Sequence, residues 1–157
     1  MSANQVNSVF ARGNVARLPP PIRLVVEEPR FAWRDASMKR MKELMDLPIG
    51  WDGYHGLQLK LENAVFALRM LEAACGPEVS PPQIVPGPGG DLQIEWHTRI
   101  CDIELHVKAP NRVHAWRAMV GGAEEGEELE LTLDFSKVAI WIKQMMELPI
   151  AAATAAA

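Results

Sequence analysis

Two neighbouring segments of the chain, residues 91–97 and 101–107, alternate strictly between apolar and polar side chains. Because successive side chains of a β-strand point to opposite faces, this alternation predicts two strands that each bury one face. The apolar members are Leu92, Ile94, Trp96, Cys101, Ile103, Leu105 and Val107, and the polar members are Asp91, Gln93, Glu95, His97, Asp102, Glu104 and His106. The segments lie so close together that we expect an antiparallel hairpin, which limits the chain to folds with an antiparallel sheet.

The register of this hairpin is predicted from the matching of its apolar residues. A turn at residues 98–99 pairs Trp96 with Cys101, Ile94 with Ile103, and Leu92 with Leu105. A slightly longer loop in the same register also fits, because the turn lacks the usual Asn-Gly. On the polar face this register places Glu95 opposite Asp102, and Gln93 opposite Glu104. Like charges directly opposite each other destabilise a sheet, and a metal or a basic partner could offset that cost.

Apolar residues spaced by three and four predict three helices. They are Met38, Met41, Leu44 and Met45 in the first helix, Leu61, Ala64, Val65, Leu68, Leu71 and Cys75 in the second, and Phe135, Val138, Ile142, Met145 and Met146 in the third. Asp35 is the expected cap of the first helix, and Asp134 or Ser136 that of the last. Further short strands are expected at residues 83–85, 112–119 and 128–133.

The order of these segments predicts an α+β fold. Two N-terminal helices precede an antiparallel β-meander of about four strands, a C-terminal helix follows, and the helices pack on one face of the sheet. The other face is then open to solvent or to a partner. The 157 residues fit one domain, which we place at residues 35–148, between an extended N-terminal arm at residues 1–34 and an Ala-rich tail at residues 149–157.

The N-terminal arm combines basic residues with prolines and a short apolar patch. The prolines at residues 19–21 favour an extended polyproline II backbone, and the patch follows at residues 22–26. An arm of this kind can add a strand to the edge of a sheet or lie on a partner. We expect contacts to a partner at Arg17, Arg23, Leu24 and Val26. A partly disordered leader is the alternative.

The charge and the apolar pattern exclude several classes of protein. A net charge of −4 and a sequence pI of about 5.6 argue against binding to duplex nucleic acid. The N-terminus is polar and no apolar run reaches the roughly 18 residues of a membrane span, so we expect neither a signal peptide nor membrane contact. Cys75 and Cys101 are expected to be buried free thiols. We place the protein in the cytoplasm of a bacterium or of a phage-infected host, with the virion as an alternative.

Motifs for catalysis or cofactor binding are missing from the sequence. No HExxH, GxSxG, P-loop or CxxC pattern occurs, and neither cysteine lies in a recognisable nucleophile context. Asp52 and His55 could form a general acid–base pair, but a spacing of three residues is weak support. We therefore assign no catalytic residue, no metal ligand and no cofactor, and an enzyme is the less favoured interpretation.

Glutamates dominate residues 124–130. A solvated loop that leads into a strand is one interpretation of this run, and an acidic surface that meets cationic groups of a partner is the other. The polar face of the hairpin has the same two interpretations. For a partner surface, the residues that we expect to make contact are Glu95, Asp102, Glu104, Glu125 and Glu128.

The stretch LPIGWDGYHGL, at residues 47–57, joins the first two predicted helices. Asp52 and Gly53 are typical turn residues, since the carboxylate accepts backbone hydrogen bonds and glycine tolerates positive φ. Trp51 and Tyr54 are expected to fold over the helix ends, with their polar atoms near water. We interpret the segment that runs from Trp51 to His55 as a motif loop that connects two helices. A loop that binds a ligand or a partner is the alternative.

The segment LPIGWDGYHG resembles the LP-x-x-WDGYGA signature of short bacterial and phage-borne proteins. The likeness continues through the second helix and through residues 82–96, which are similar to P-x-I/V-x-P-x-x-G-G-x-L-x-x-E-W, and it covers residues 45–108. His55 stands where glycine is usual, and Leu57 stands where alanine is usual. The resemblance implies the order of helix and hairpin and an origin in a mobile element. It implies no active site, because the proteins with this signature have no assigned activity.

These observations favour a non-enzymatic protein that binds another protein, as a component of a phage or mobile genetic element. There it would be a virion or accessory protein, or an inhibitor of a host system. An antitoxin-like protein that neutralises a basic enzyme and a metal-dependent hydrolase are the alternatives. A homo-oligomer is compatible with all of these functions, and direct contact with nucleic acid is not expected.

Overall fold

The computed structural model describes residues 31–122 and 125–147. This part of the chain contains three helices and five strands. In chain order they are α1 (Ala32–Met45), α2 (Leu61–Ala74), β1 (Gln83–Pro86), β2 (Leu92–His97), β3 (Cys101–Ala109), β4 (Arg112–Met119), β5 (Glu127–Leu131) and α3 (Ser136–Glu147). The strands form one antiparallel meander in the order β1-β2-β3-β4-β5. The predicted α+β fold is confirmed, with five strands where about four were expected.

The helices and one face of the sheet share an apolar core. In the described residues, α1 packs beside β1, whereas α2 and α3 lie over β3. The strands bury their alternate residues in this core, including Ile84, Leu92, Ile94, Trp96, Ile103, Leu105, Val107, Val113 and Ala115. Trp33 of α1 and Trp141 of α3 are also fully buried. As predicted, the helices cover one face of the sheet.

The register of the β2–β3 hairpin is shifted by two residues from the prediction. Trp96 pairs with Ile103, Ile94 with Leu105, and Leu92 with Val107. The loop is longer than expected because the Thr98 hydroxyl accepts hydrogen bonds from the backbone N–H groups of Ile100 and Cys101. A shift by two residues leaves every side chain on its predicted face, so the alternation cannot detect it.

The corrected register changes the pairs on the polar face. Glu95 lies opposite Glu104 rather than Asp102, and Gln93 lies opposite His106 rather than Glu104. Asp102 pairs instead with His97. A pair of like charges therefore occurs in the hairpin as predicted, but between two glutamates.

The first helix begins earlier than predicted. Its N-cap is Phe31, and Asp35 lies in the first turn rather than at the cap. Trp33 stacks on Phe31 and is fully buried, and its indole N–H donates to the carbonyl of Gly76 at 3.0 Å. The start of α1 is thus held against the end of α2. Met38, which was expected in the core, is exposed.

The second helix is rotated relative to its predicted apolar stripe. Leu61 and Val65 are exposed, whereas Met70 is fully buried. The buried side chain of Asn63 explains this rotation, because its Nδ2 donates to the carbonyl of Gly90 at 2.7 Å. Asn63 must face the core to make this bond, and its neighbours two positions away then point outward.

The last strand is shorter than expected, and the last helix begins at Ser136, one residue from the start that either expected cap implies. β5 ends at Leu131, so Leu133, the last residue of the predicted strand, lies beyond it and is exposed. Asp134 accepts a hydrogen bond from the Ser136 backbone N–H at 2.9 Å. Hydrogen bonds from the hydroxyl and the N–H of Ser136 lower the pKa of Asp134. Trp141, which does not belong to the predicted apolar stripe of this helix, is fully buried.

Candidate functional site

The sheet face opposite the helices holds four of the five described residues that were predicted to bind a partner. Within the described ranges no helix packs against this face, and we call it the open face. It consists of Gln93, Glu95, His97, Asp102, Glu104, His106, His114, Trp116, Glu128 and Glu130. These side chains are half-buried or exposed.

Cross-strand pairing arranges the open face in rows. The first row consists of Glu95, Glu104, Trp116 and Glu128, on β2, β3, β4 and β5 in turn. The second row consists of Gln93, His106, His114 and Glu130. His97 and Asp102 begin a third row. Paired strands lie roughly 4.8 Å apart, so each side chain can contact the next one in its row.

The first row concentrates negative charge. Glu95 and Glu104 lie directly opposite each other, an arrangement that lowers the stability of a sheet. Glu104 accepts a hydrogen bond from Gln93 Nε2 at 2.9 Å, but this neutral donor leaves the charge in place. In the part of the chain that the structure describes, neither Glu104 nor Glu128 forms an ion pair. Their carboxylates can therefore receive a cation from outside.

His97 lies between two carboxylates. Its Nε2 is 3.0 Å from Glu95 Oε2, and its Nδ1 is 3.0 Å from Asp102 Oδ1. The hydrogen bond to Glu95, followed by that to Asp102, raises the pKa of His97. The charge of the imidazole therefore controls how strongly negative this corner of the open face is.

The second row contains two further histidine–carboxylate contacts. His106 Nε2 lies 2.5 Å from Asp91 Oδ2, and His114 Nδ1 lies 2.7 Å from Glu130 Oε1. Burial would raise the pKa of Asp91, but hydrogen bonds from His106 and from backbone N–H groups outweigh it and lower the pKa overall. The bond from His114 lowers the pKa of Glu130. These contacts hold the carboxylates in their charged form.

Trp116 occupies the middle of the first row, between Glu104 and Glu128. Its indole is half-buried, and a Cβ at position 126 would overlap its Nε1, so the ring requires the glycine that is present there. Trp116 was not among the predicted site residues. The sequence contains a signal for it. Val113 and Trp116 are three positions apart in the predicted strand, so a strand that buries Val113 places Trp116 on the other face.

The glutamate-rich run divides between the two faces of the sheet. Glu127 turns to the helix side, where it pairs with Lys137 at 3.0 Å and with Arg117 at 3.1 Å. Hydrogen bonding to Lys137 lowers the pKa of Glu127, and burial opposes this effect only partly. Glu128 lies on the open face, and Glu125 is exposed in the loop before β5. The run is therefore only partly an acidic surface.

The motif loop is held together by its own hydrogen bonds. Oδ1 of Asp52 accepts the backbone N–H groups of Tyr54 and Gly56, each at 2.9 Å. These bonds lower the pKa of Asp52. A Cβ at Gly56 would lie 2.7 Å from Cγ of Asp52, which leaves no space for a larger residue. The indole N–H of Trp51 donates to the Leu57 carbonyl at 2.9 Å.

The aromatic residues of the motif loop differ in their surroundings. Trp51 is half-buried, but Tyr54 is 83% exposed, so Tyr54 does not fold over the helix ends as expected. His55 is exposed as well. Among the described residues no hydrogen bond joins His55 to Asp52, whose Oδ1 is bonded to the backbone.

The residues between the motif loop and the first turn of α2 are hydrogen-bonded to the PGPGG turn at residues 86–90. Leu57 N–H donates to the Pro88 carbonyl at 2.9 Å, and Lys60 N–H donates to the Gly90 carbonyl at 3.1 Å. Asn63 also donates to the Gly90 carbonyl. These bonds hold the PGPGG turn against the start of α2.

Cys75 and Cys101 are free and buried, and burial raises the pKa of Cys75 to about 12. In the described ranges, no three His, Cys, Asp or Glu side chains are arranged to hold a metal ion. No helix in the same ranges is long and apolar enough to cross a membrane.

The partner contacts predicted at Arg17, Arg23, Leu24 and Val26 lie outside the described residues. Those at Glu95, Asp102, Glu104 and Glu128 lie together on the open face, and Glu125 lies in the adjoining loop. Comparison with known proteins gives no assignment of this arrangement: no family model, no curated protein and no solved structure matches the chain.

Proposed function

We propose that this protein is a non-enzymatic binding component that holds a cationic segment of another protein against the open face. The observation that supports this most is the first row, in which three glutamates flank one half-buried tryptophan. A cationic partner would offset the repulsion between Glu95 and Glu104, which within the fold is reduced only by the charged form of His97 beside Glu95. Trp116 would supply an aromatic contact at the centre of the surface.

The electrostatics of the open face favour a partner rich in arginine or lysine. The first row contains no lysine or arginine, whereas Lys108 lies 3.9 Å from Glu130 of the second row, so the unpaired negative charge is concentrated in the first row. The chain as a whole has a net charge of −4. Such a surface attracts a basic partner during diffusion and repels acidic ones. Binding should therefore weaken as salt is added.

The biological setting of this function is proposed from the sequence resemblance. We infer a phage or mobile genetic element, acting in the cytoplasm of a bacterium or infected host, in which the protein is a virion or accessory protein or an inhibitor of a host system. An antitoxin-like protein that neutralises a basic enzyme is the second candidate, and the same acidic row supports it. A hydrolase centred on Asp52 is less well supported, because the backbone N–H groups of Tyr54 and Gly56 already occupy one carboxylate oxygen.

Charge reversal on the open face tests the proposal. We expect affinity purification from the native host to recover a basic protein with the wild type, and to lose it with Glu104→Lys. Glu78→Lys makes the same charge change in an exposed position before β1 and should retain the partner. Equal recovery with the wild type and both variants would contradict a role for the open face.

The identity of the recovered protein separates the two candidates. If it is an enzyme whose activity the wild type suppresses and Glu104→Lys does not, the antitoxin-like function is supported. If it is a structural protein of a particle or a component of a host system, the accessory or inhibitor function is supported. An oligoarginine peptide, titrated at low and high salt, provides a defined probe of the same surface.

A further inference from the structure

An open groove lies on the helix side of the molecule, away from the open face. It has a volume of about 630 Å³, and it runs between α2, the β3–β4 turn and the segment before α3. Its apolar lining includes Leu61, Val65, Phe66 and Leu133. Leu61 is 67% exposed and Leu133 is 70% exposed, so large apolar side chains face solvent on both sides of the groove. An apolar concavity of this kind is suited to covering by another apolar segment.

The charges at the groove come from α2. Glu62 and Arg69 line it and are exposed, and neither forms an ion pair among the described residues. They are two helical turns apart, with Glu62 near the start of α2 and Arg69 nearer its end. A segment that covers the groove along α2 would therefore meet a negative charge first and a positive charge second.

The start of the described chain lies at the far end of the same helix. Trp33 donates to the Gly76 carbonyl just beyond α2, and Arg34 Nε donates to Glu72 Oε1 at 2.9 Å. Phe31, which stacks on Trp33, is therefore close to the C-terminal end of α2. A segment that leaves this point along α2 passes Arg69 before it reaches Glu62.

We propose that the apolar segment Leu24, Val25 and Val26 of this same chain occupies the groove. Val26 precedes Phe31 by five residues and Leu24 precedes it by seven, so an extended chain would span roughly 17 to 23 Å. The eleven residues from Glu72 back to Leu61 span about 16 Å of helix. The segment is therefore long enough to reach the groove and cross α2.

The order of charges in the arm matches that of the groove. Arg23 precedes the apolar segment and Glu27 follows it. A chain that is followed back from Phe31 along α2 would place Glu27 next to Arg69 and Arg23 next to Glu62. The spacings agree, because four extended residues span about 13 Å and seven helical residues about 10 Å. Of the four arm residues predicted to contact a partner, Arg23, Leu24 and Val26 would then contact their own chain. Only Arg17 would remain available to a partner.

A pair of engineered cysteines tests this placement directly. Val25→Cys is combined with Val65→Cys in the full chain, and oxidised with diamide at micromolar protein concentration. The matched control combines Val25→Cys with Val120→Cys. Val120 is 55% exposed and Val65 is 43% exposed, so the two positions are similarly accessible. Val120 lies just beyond the C-terminal end of β4, which is the end farthest from the groove. We expect the first pair to form an intrachain disulfide about ten times faster than the control, because docking raises the effective concentration.

Two outcomes of the cross-linking experiment would overturn the proposal. One is a rate no higher than that of the control, and the other is a disulfide that forms only between chains, which would place the arm of a second copy in the groove. The native Cys75 and Cys101 are buried, so they do not compete for the oxidant.

A charge swap provides the second measurement. Glu62→Arg should slow formation of the Val25–Val65 cross-link severalfold, and Arg23→Glu in the same chain should restore it. Both substitutions exchange one long charged side chain for another, so we expect the fold to be retained. Far-ultraviolet circular dichroism checks this expectation. Failure of Arg23→Glu to restore the rate would contradict the proposed orientation. No residue of the open face is involved, so this result and that for the proposed function are independent.

Discussion

The two faces of the sheet consist of alternate residues of the same strands, but they differ in what stabilises them. On the covered face, Ile94, Leu105 and Val107 are fully buried against helices, and this burial favours folding. On the open face, Glu95 lies opposite Glu104, and histidines contact Glu95 and further carboxylates, including those of Asp91 and Glu130. The open face thus contains a repulsion between charges, and burial on the covered face offsets its cost. Proteins break a local rule of this kind mainly at functional or strained sites.

Removal of a side chain from the covered face should have the largest effect. Leu105 is fully buried at the centre of β3, so we expect Leu105→Ala to lower the free energy of unfolding by about 2–5 kcal/mol through lost burial and a residual cavity. Urea denaturation measures this loss. The adjacent Glu104→Ala, on the open face, should lower it by less than about 1 kcal/mol. Similar losses for both variants would show that the two faces do not differ in the way described.

Gly126→Ala should have the next largest effect. The added methyl group would overlap Nε1 of Trp116, so the indole or the loop before β5 must move. We expect a loss of about 1–3 kcal/mol in the free energy of unfolding, together with weaker binding at the open face.

Gly76→Ala is the control for this substitution. In the described residues no atom lies within 4 Å of a Cβ added at Gly76, and its φ is not positive, so the change should be neutral or slightly stabilising. Thermal unfolding of both variants makes the comparison. A Gly126→Ala protein as stable as Gly76→Ala would mean that Trp116 is free to move.

The assignment of residues to faces could be predicted from the sequence, but the pairing within each face could not. Alternation determines which side of a strand each residue occupies, so Glu95, Asp102 and Glu104 were correctly expected on one surface. The register depends in addition on the length of the hairpin loop, which Thr98 sets through hydrogen bonds to Ile100 and Cys101. A shift by two residues preserves the alternation, so the pattern contains no information about it.

Long-range contacts caused the other differences from the prediction. The rotation of α2 depends on the bond from Asn63 to Gly90, which are far apart in sequence and come together only in the folded chain. Trp33 precedes the expected helix start, and its burial depends on Gly76 at the end of another helix. Spacing within one segment indicates that a helix forms, but it does not determine which neighbours set its orientation.

Glu104→Gln should separate stability from binding on the open face. The substitution removes the repulsion with Glu95, and the new side-chain oxygen can still accept the hydrogen bond from Gln93. We expect the free energy of unfolding to rise by about 0.2–1 kcal/mol, whereas affinity for a cationic partner or an oligoarginine peptide falls. Glu78→Gln, which removes an exposed charge that lies before β1 and outside the sheet, should change neither quantity appreciably. A loss of stability in Glu104→Gln would mean that its charge stabilises the fold.

The smallest effect should be a pH dependence centred on His97. Contacts with Glu95 and Asp102 raise its pKa above the usual value of 6.5 in the folded state. The resulting stabilisation is therefore complete below pH 6.5 and is lost as the pH rises through the raised pKa. In His97→Gln this slope should be absent, whereas His55→Gln, at an exposed position in the motif loop, should retain it.

Partner affinity should change with pH in the opposite direction to stability, because loss of the imidazolium charge makes Glu95 and Asp102 more available to a cation. Parallel urea and binding titrations between pH 5.5 and 8 measure both slopes, and slopes of the same sign would show that His97 does not compete with the partner for these carboxylates.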